Sequence, residues 1–154
     1  MNHDDTVSAR VVAEARAWIG TPYLHQASLQ GVGCDCLGLI RGVWRNVFGE
    51  EPEAMPAYSR DWAETRDEDT LVQAARRHLD EISPVERSPG DLLVFRWKRG
   101  RPAKHLAILT SPTHFVHGYE HGGTVESPLS DWWIQRLAHV FRFPDRLLSK
   151  DGVR

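Results

Sequence analysis

The stretch "GVGCDCLGLI" (residues 31–40) contains both cysteines of the chain, one on each side of Asp35. Four roles are open to them: metal ligand, disulfide partner, buried core residue or catalytic thiolate. A disulfide within the chain is disfavoured, because two cysteines one residue apart bridge with difficulty and no third cysteine exists. Free thiols are typical of a reducing compartment.

The residues after Asp35 predict a buried helix that begins at Cys36. Asp35 is a good N-cap, and Gly49 is a typical residue at a helix end. A thiol in the first helical turn lies beside unpaired backbone N–H groups and the positive end of the helix dipole. We therefore expect a lowered pKa for Cys36 and amides that can hold an oxyanion. The apolar stripe of this helix comprises Cys36, Leu39, Ile40, Val43, Trp44 and Val47.

The segments on either side of this helix contain two further helical patterns. Residues 6–19 predict an amphipathic helix, and residues 20–33, with glycines and a proline, predict a loop. Residues 50–66 contain two prolines and mixed charges, which indicates a surface excursion, and residues 67–82 predict another helix. The predicted buried faces are Val7, Val11, Ala15, Trp18 and Ile19 in the first helix and Leu71, Val72, Ala75, Leu79 and Ile82 in the other.

After Asp91 the chain consists of short apolar runs separated by turns. The runs are "LLVFRW", "HLAILT", "HFVHGY", "TVES" and "LAHVFRF". They predict four or five antiparallel strands of one sheet. Helices followed by strands indicate an α+β fold, with the Cys36 helix packed against the sheet. We expect a single domain over residues 1–154, with a core at about 6–144 and a short tail at 145–154.

The composition excludes several classes of protein. A hydrophobic share of 41% and a charged share of 26% argue against disorder and coiled coil. Nineteen Lys and Arg are scattered among twenty-one Asp and Glu, which argues against a nucleic-acid partner. We expect no membrane span and no signal peptide, because no apolar run of the required length or position occurs. The expected location is therefore the cytoplasm, at least at synthesis.

A cysteine nucleophile needs a base, and histidine is the usual one. In a hairpin that turns at residues 111–113, Thr110 faces His114 and His105 faces Tyr119. His105 and His117 are then diagonal neighbours on one sheet face, where one could act as base and the other could orient it. A register slip of one residue would exchange the histidines. The eight candidates are His3, His25, His78, His105, His114, His117, His121 and His139.

Two other features have competing interpretations. Zinc ligand types occur in the chain, but a one-residue cysteine gap is unusual for structural zinc and no second cysteine pair exists, so we expect no metal. Trp132 and Trp133 could line a groove for sugar or peptide, although packing is the default for such residues. The possible zinc ligands are Cys34, Cys36, His114, His117 and His121.

Five ordered motifs resemble those of NlpC-type cell-wall cysteine peptidases, and the likeness extends over residues 16–143. Together with "Y..DW" at 58–62 and the paired tryptophans, the pattern is most similar to a short branch found in phages, prophages and gene transfer agents. The motifs are "GTPY" (20–23), "GCDCLGLI" (33–40), "PGDLLVF" (89–95), "KHLAIL" (104–109) and "FVHG" (115–118).

The resemblance implies a papain-like fold and hydrolysis of amide bonds in peptidoglycan stem peptides, typically between D-glutamate and a diamino acid. It implies that Cys36 is the nucleophile, His105 the general base and acid, and His117 the orienting third residue. Tyr23 would stand beside the thiol and contact substrate or the oxyanion. No cofactor is implied.

Two positions depart from the family pattern and concern specificity. Leu37 stands where the family often has a small hydroxyl residue, and "LHQAS" after Tyr23 replaces glycines. Asp35 is mainly a cap that could also tune the site. The branch further implies mounting on a phage-like tail tip, with a tail hub or baseplate protein as partner. A non-catalytic tail component that keeps the fold and a cytoplasmic enzyme that recycles wall peptides are the alternatives.

Overall fold

The computed structural model describes residues 6–53, 70–97 and 104–149, which contain five α-helices and eight strands. Helices precede most of the strands, so the predicted α+β class is confirmed. The helices are α1 (Val7–Ala17), α2 (Cys36–Phe48), α3 (Thr70–His78), α4 (Asp131–Ile134) and α5 (Arg146–Ser149). The strands are β1 (Ser28–Leu29), β2 (Gly33–Cys34), β3 (Asp80–Ile82), β4 (Leu92–Phe95), β5 (His105–Ser111), β6 (His114–Tyr119), β7 (Gly123–Pro128) and β8 (Leu137–Arg142).

Helix α2 begins and ends where the sequence predicts. The side chain of Asp35 accepts a hydrogen bond from the Gly38 amide, and Gly49 ends the helix at a φ of 100°, which favours glycine. Helix α1 begins at its cap Thr6 but ends at Ala17, earlier than predicted. Ile19 therefore leaves the helical face and is 44% exposed, so its predicted burial is wrong.

Six antiparallel strands form the main sheet in the order β3-β8-β4-β5-β6-β7. This is one strand more than the largest number predicted. The extra strand is β3, because the helix predicted over 67–82 ends at His78 and Ile82 pairs with Val140 of β8. The single helix predicted for this segment therefore corresponds to helix α3 followed by the short strand β3.

Three further segments differ from or lie outside the predictions. The predicted loop 20–33 contains β1 and part of β2, which form a small antiparallel sheet. The excursion predicted at 50–66 lies mostly outside the described residues; within the described part, Glu51 binds Arg41 and Arg45 of α2. The predicted tail begins with α5.

The main sheet separates two apolar layers. On one face, side chains such as Val94, Ile108 and Val116 pack against α1 and α2. On the other face, side chains such as Phe95, Leu109 and Phe115 pack under the segment that contains α4. Because the residues of a strand alternate between the faces, each histidine of β5 and β6 has a defined side.

The register of β5 and β6 matches the prediction in their middle and departs from it at the turn. Ile108 pairs with Val116, as predicted. An irregularity then places Ser111 rather than Thr110 opposite His114, so that pairing was wrong. His105 and His117 nevertheless remain on one face, because the irregularity lies beyond them. Within the described residues, no helix has the length and apolar character needed to cross a membrane.

Candidate active site

The N-terminus of α2 meets the end of the sheet where β5 begins and β6 ends. A Cβ on Gly118 of β6 would lie 2.9 Å from the Asp35 carbonyl oxygen and 3.2 Å from the Cys36 nitrogen. Only glycine allows this approach without movement of one element. Cys36 Sγ lies 3.8 Å from the carbonyl oxygen of Lys104, which precedes His105. The thiol is therefore held at the start of β5.

Asp35 is buried and connects the preceding loop to α2. Its Oδ1 accepts from the Gly38 amide at 2.7 Å, and its Oδ2 accepts from the Gln26 amide at 2.8 Å. His25 Nδ1 lies 3.8 Å from Oδ2. Both carboxylate oxygens are thus engaged by the main chain, and the predicted N-cap is confirmed. The amides of Cys36 and Leu37 are the donors of the first turn that lie next to the thiol.

The thiol of Cys36 is less acidic than the sequence predicts. Burial and the charge of Asp35 raise its pKa to about 12, although backbone amides of Leu106 and Leu37 act in the opposite direction. The expectation of a lowered pKa is therefore wrong. The position of Cys36 at a helix N-terminus favours the thiolate, and the sequence shows only this effect. In the structure, burial and the adjacent carboxylate of Asp35 both disfavour the thiolate.

The two histidines form a hydrogen-bonded pair. His105 Nε2 lies 2.8 Å from His117 Nδ1, and both rings are buried. Burial lowers the pKa of His105 well below its usual value, and His117 acts in the same direction. Burial also lowers the pKa of His117 to about 4. At neutral pH the site therefore combines a protonated thiol with neutral imidazoles, and since Nε2 of His105 is engaged, its Nδ1 is the nitrogen left for the thiol proton.

Aromatic rings enclose His105. Trp97 lies 5.1 Å from it between ring centroids, and Trp133 stacks on it at 5.7 Å. Trp132 is 49% exposed and lies 4.9 Å from Trp133. Such a wall restricts the imidazole to one orientation and keeps water from its faces. Trp133 packs on His105, and both tryptophans line the cavity described next. Both roles considered from the sequence, packing and lining a groove, therefore apply.

A cavity of about 550 Å³ opens in front of the thiol. Five of the six predicted site residues line it, and the sixth, His117, lies behind His105. The wall also carries both signs of charge, with Lys104 and Glu120 among its residues, and it includes His25, for which the sequence indicated no role. The five predicted residues are Tyr23, Asp35, Cys36, Leu37 and His105.

Sequence reasoning missed one polar neighbour of the histidines. Ser127 Oγ of β7 lies 3.0 Å from His117 Nε2. Strand parity could have found it, because Ser127 and His117 lie on one face of adjacent strands. Cys34 is fully buried against Thr124 and does not line the cavity. Among the described residues, no group of three or more His, Cys, Asp or Glu could hold a metal ion.

This fold and the grouping of Cys36 with two histidines define a papain-like domain of the cysteine peptidase class. The chain belongs to the NlpC/P60 family, whose model matches residues 20–142. The family assigned by comparison agrees with the motif resemblance.

Individual relatives are distant. The chain is 24% identical over 149 residues to the gamma-DL-glutamyl hydrolase of Bacillus subtilis, covering 96% of this chain and 32% of that protein. It is 25% identical over 131 residues to the probable endopeptidase NlpC of Escherichia coli, covering 85% of this chain and 74% of that one. The crystal structure of the NlpC/p60 domain of the peptidoglycan hydrolase SagA superposes with a TM-score of 0.59 at 21% identity, covering 87% of this chain and 97% of that one. The chain thus spans about a third of the Bacillus protein and about three quarters of the Escherichia protein.

Proposed function

We propose that this protein is a cysteine endopeptidase that cleaves amide bonds in the stem peptides of peptidoglycan. The observation that carries the proposal is that Cys36 and His105 line one cavity, while His117, behind His105, is bonded to His105 Nε2 at 2.8 Å. Cys36 is the nucleophile, His105 the base and acid, and His117 the residue that orients His105. A structure named as a peptidoglycan hydrolase shares the fold, which supports this substrate class.

Acylation begins from the neutral pair of thiol and imidazole. As Cys36 Sγ attacks the carbonyl carbon of the substrate amide, its proton passes to Nδ1 of His105. The amides of Cys36 and Leu37 stabilise the oxyanion, and Tyr23 contacts the substrate at the same wall. The C–N bond then breaks, the leaving amine takes the proton from His105, and a thioester remains on Cys36.

Deacylation uses the same residues in reverse. A water molecule enters after the amine departs, and His105 removes its proton while the oxygen attacks the thioester carbon. The tetrahedral intermediate collapses, the thiolate leaves, and the proton on His105 returns to it. The carboxylic acid product then dissociates, and no cofactor takes part in these steps.

The bond that we propose joins D-glutamate to a diamino acid. Such a substrate carries carboxylates and an ammonium group close to the scissile amide. The cavity wall contains Lys104 and Glu120, so charges of both signs border the substrate. One distant relative is named as a glutamyl hydrolase, which also supports a glutamyl bond. Leu37 gives the wall an apolar surface that selects among the neighbouring groups.

A digest of purified muropeptides, read by mass spectrometry, tests this proposal. We expect the wild type to cleave the muropeptides. In Cys36→Ser the rate of cleavage should fall by about 10² or more, because a serine hydroxyl is a far weaker nucleophile than the thiol and gives up its proton to the base less readily. Cys34→Ser is the matched control. Its hydroxyl can keep the contact with Thr124 Oγ1, which lies 3.2 Å from Cys34 Sγ, so we expect full activity.

The fragment masses also identify the bond. Products that separate D-glutamate from the diamino acid support the proposed specificity, and any other pair of products refutes it while leaving the peptidase proposal intact. Equal activity in wild type and Cys36→Ser, or no activity in either on sacculi and on soluble muropeptides, contradicts the peptidase proposal. The second outcome favours a non-catalytic component that keeps the fold.

For the setting of the enzyme, we propose a phage-like tail tip, where a hub or baseplate protein holds the domain. The motif resemblance to the phage and gene transfer agent branch supports this. An immunoblot of purified particles from the source strain tests it. The protein should co-purify with tails, and its presence only in the cell extract would favour an enzyme that recycles wall peptides.

A further inference from the structure

A continuous line of polar contacts extends beyond the two histidines. His105 Nε2 lies 2.8 Å from His117 Nδ1, and His117 Nε2 lies 3.0 Å from Ser127 Oγ. His117 is only 2% exposed. Each ring nitrogen of His117 therefore has one specific partner, and the ring is shielded from water. The state of one nitrogen must then depend on the contact made by the other.

The chemistry proposed for Cys36 fixes the direction of these hydrogen bonds. A neutral imidazole has one N–H and one bare nitrogen. For Nδ1 of His105 to receive the thiol proton it must be bare, so Nε2 carries the hydrogen and donates to His117. Nδ1 of His117 must then accept, and its Nε2 must donate. A hydroxyl oxygen can accept that bond, so Ser127 completes the line.

We propose that Ser127 is a positioning residue whose hydroxyl oxygen accepts from His117 Nε2 and thereby holds His105 in the tautomer that can take the proton of Cys36. This inference rests on the proposed function, since it assumes that His105 serves Cys36. Ser127 does not line the cavity in which the substrate would bind. It acts through His117 alone.

The surroundings of His117 explain why one hydroxyl has this influence. The rings of Phe115, Tyr119 and Trp133 lie 4.6, 5.4 and 5.3 Å from the imidazole between centroids. Phe115 pairs with Ser127 across β6 and β7, which sets the serine diagonally beside His117. Without the hydroxyl, the N–H at Nε2 of this buried ring would lose its specific partner, and the other tautomer of His117 would become more favourable.

Nitrogen-15 NMR of the imidazole rings tests the inference without any substrate. In the wild type we expect His117 with hydrogen on Nε2 and a bare Nδ1. In Ser127→Ala we expect a second population with hydrogen on Nδ1, and in Ser127→Thr we expect the wild-type pattern because the hydroxyl returns. Ser111→Ala removes a hydroxyl of the same sheet that bonds Thr113, and it should change neither ring.

Kinetics on the cleaved muropeptide give the second measurement. Ser127→Ala should lower kcat about tenfold, the loss expected from one buried hydrogen bond. KM should stay within about twofold, because Ser127 does not meet the substrate. Ser127→Thr should recover most of the lost kcat. If Ser127→Ala instead weakened the packing of the protein, the folded fraction would fall, and Ser127→Thr would not restore kcat selectively.

The outcomes separate this inference from the proposed function. Hydrogen on Nδ1 of His117 in the wild type overturns the inference, as do an unchanged tautomer and kcat in Ser127→Ala. If either of these results is found while the wild type cleaves muropeptides, the inference about Ser127 fails and the peptidase proposal stands. If the wild type cleaves nothing but the tautomers shift as expected, the role of Ser127 in setting His117 stands and the peptidase proposal fails. If Ser127→Ala does not fold, the wild-type spectrum and Ser127→Thr still decide.

Discussion

At the scale of single residues, Asp35 has two opposing effects on the thiol beside it. Its carboxylate caps α2 through the Gly38 amide at 2.7 Å, which holds Cys36 in place. The same negative charge raises the pKa of Cys36. The cap is therefore necessary for the geometry but unfavourable for the thiolate. A neutral residue with the same cap should separate the two effects.

Asp35→Asn is expected to make the Cys36 thiol more reactive without unfolding α2. Asparagine caps helices about as well as aspartate, and its oxygen can keep the bond from the Gly38 amide. It lacks the charge, and its NH₂ group cannot accept from the Gln26 amide, so the contact with the preceding loop is lost while the cap remains. Each unit by which the pKa falls raises the thiolate fraction about tenfold and lowers the reactivity of the thiolate about threefold. The rate of alkylation by iodoacetamide should thus rise about threefold per unit.

The pH profile of alkylation in the wild type tests the same picture. With a pKa of about 12, the rate should climb between pH 6 and pH 9 without levelling. Cys36→Ala corrects for labelling at Cys34, which is fully buried. A plateau below pH 7 would show a preformed thiolate and would contradict the neutral pair.

At the scale of elements, the contact between β6 and the start of α2 depends on Gly118. A Cβ there would meet Asp35 O at 2.9 Å and Cys36 N at 3.2 Å. We expect Gly118→Ala to lower the free energy of unfolding by about 1–3 kcal/mol and to reduce muropeptide cleavage, because α2 must move away from the sheet. Urea denaturation and the digest measure the two effects.

Gly122→Ala is the matched control for Gly118→Ala. Gly122 follows β6, and a Cβ there would lie 3.4 Å from Tyr119 Cδ2, an ordinary contact. Its free energy of unfolding should stay within about 0.5 kcal/mol of the wild type. Equal losses in both variants would mean that the approach of α2 to β6 is not close enough to matter.

The elements also show which parts of the structure could be predicted. Helix α2 and strand β6 followed from caps and alternation, which are local signals. Ile82 was misassigned because three residues of strand continue the apolar spacing of a helix and only pairing with β8 distinguishes them. The raised pKa of Cys36 arises from tertiary packing that no spacing encodes, whereas the contact of Ser127 with His117 follows from strand parity once β6 and β7 are paired.

At the scale of the whole molecule, the site brings together parts of the chain that are far apart in sequence. The loop at Tyr23, the start of α2, the tryptophans and the ends of β5 and β6 all meet at one cavity. The order of the motifs predicted their common fold, since four of the five motifs contribute residues to this cavity. The histidines that complete the site are buried, and their burial links the stability of the protein to pH.

We expect acid to destabilise the protein above the pH range in which carboxylates titrate. The pKa of His117 is lowered to about 4 in the folded state against 6.5 for a free histidine, so the unfolded state binds more protons between these values. Stability is fully present above pH 6.5 and is lost as pH falls. For His117 alone the loss by pH 5 is about 2 kcal/mol, and His105, whose pKa is also lowered, adds to it.

Urea denaturation at pH 8, 6.5 and 5 measures this loss in wild type and in His117→Gln. Glutamine can hydrogen-bond at the same place but does not titrate, so the variant should lose about 2 kcal/mol less than the wild type between pH 8 and pH 5. The glutamates Glu51, Glu81 and Glu126 have lowered pKa values because of their arginine or threonine partners, so their contributions are lost only as pH falls below their usual range near 4.5. Parallel pH profiles in the two proteins would mean that His117 is charged in the folded state, which would also contradict its role as the neutral acceptor of His105.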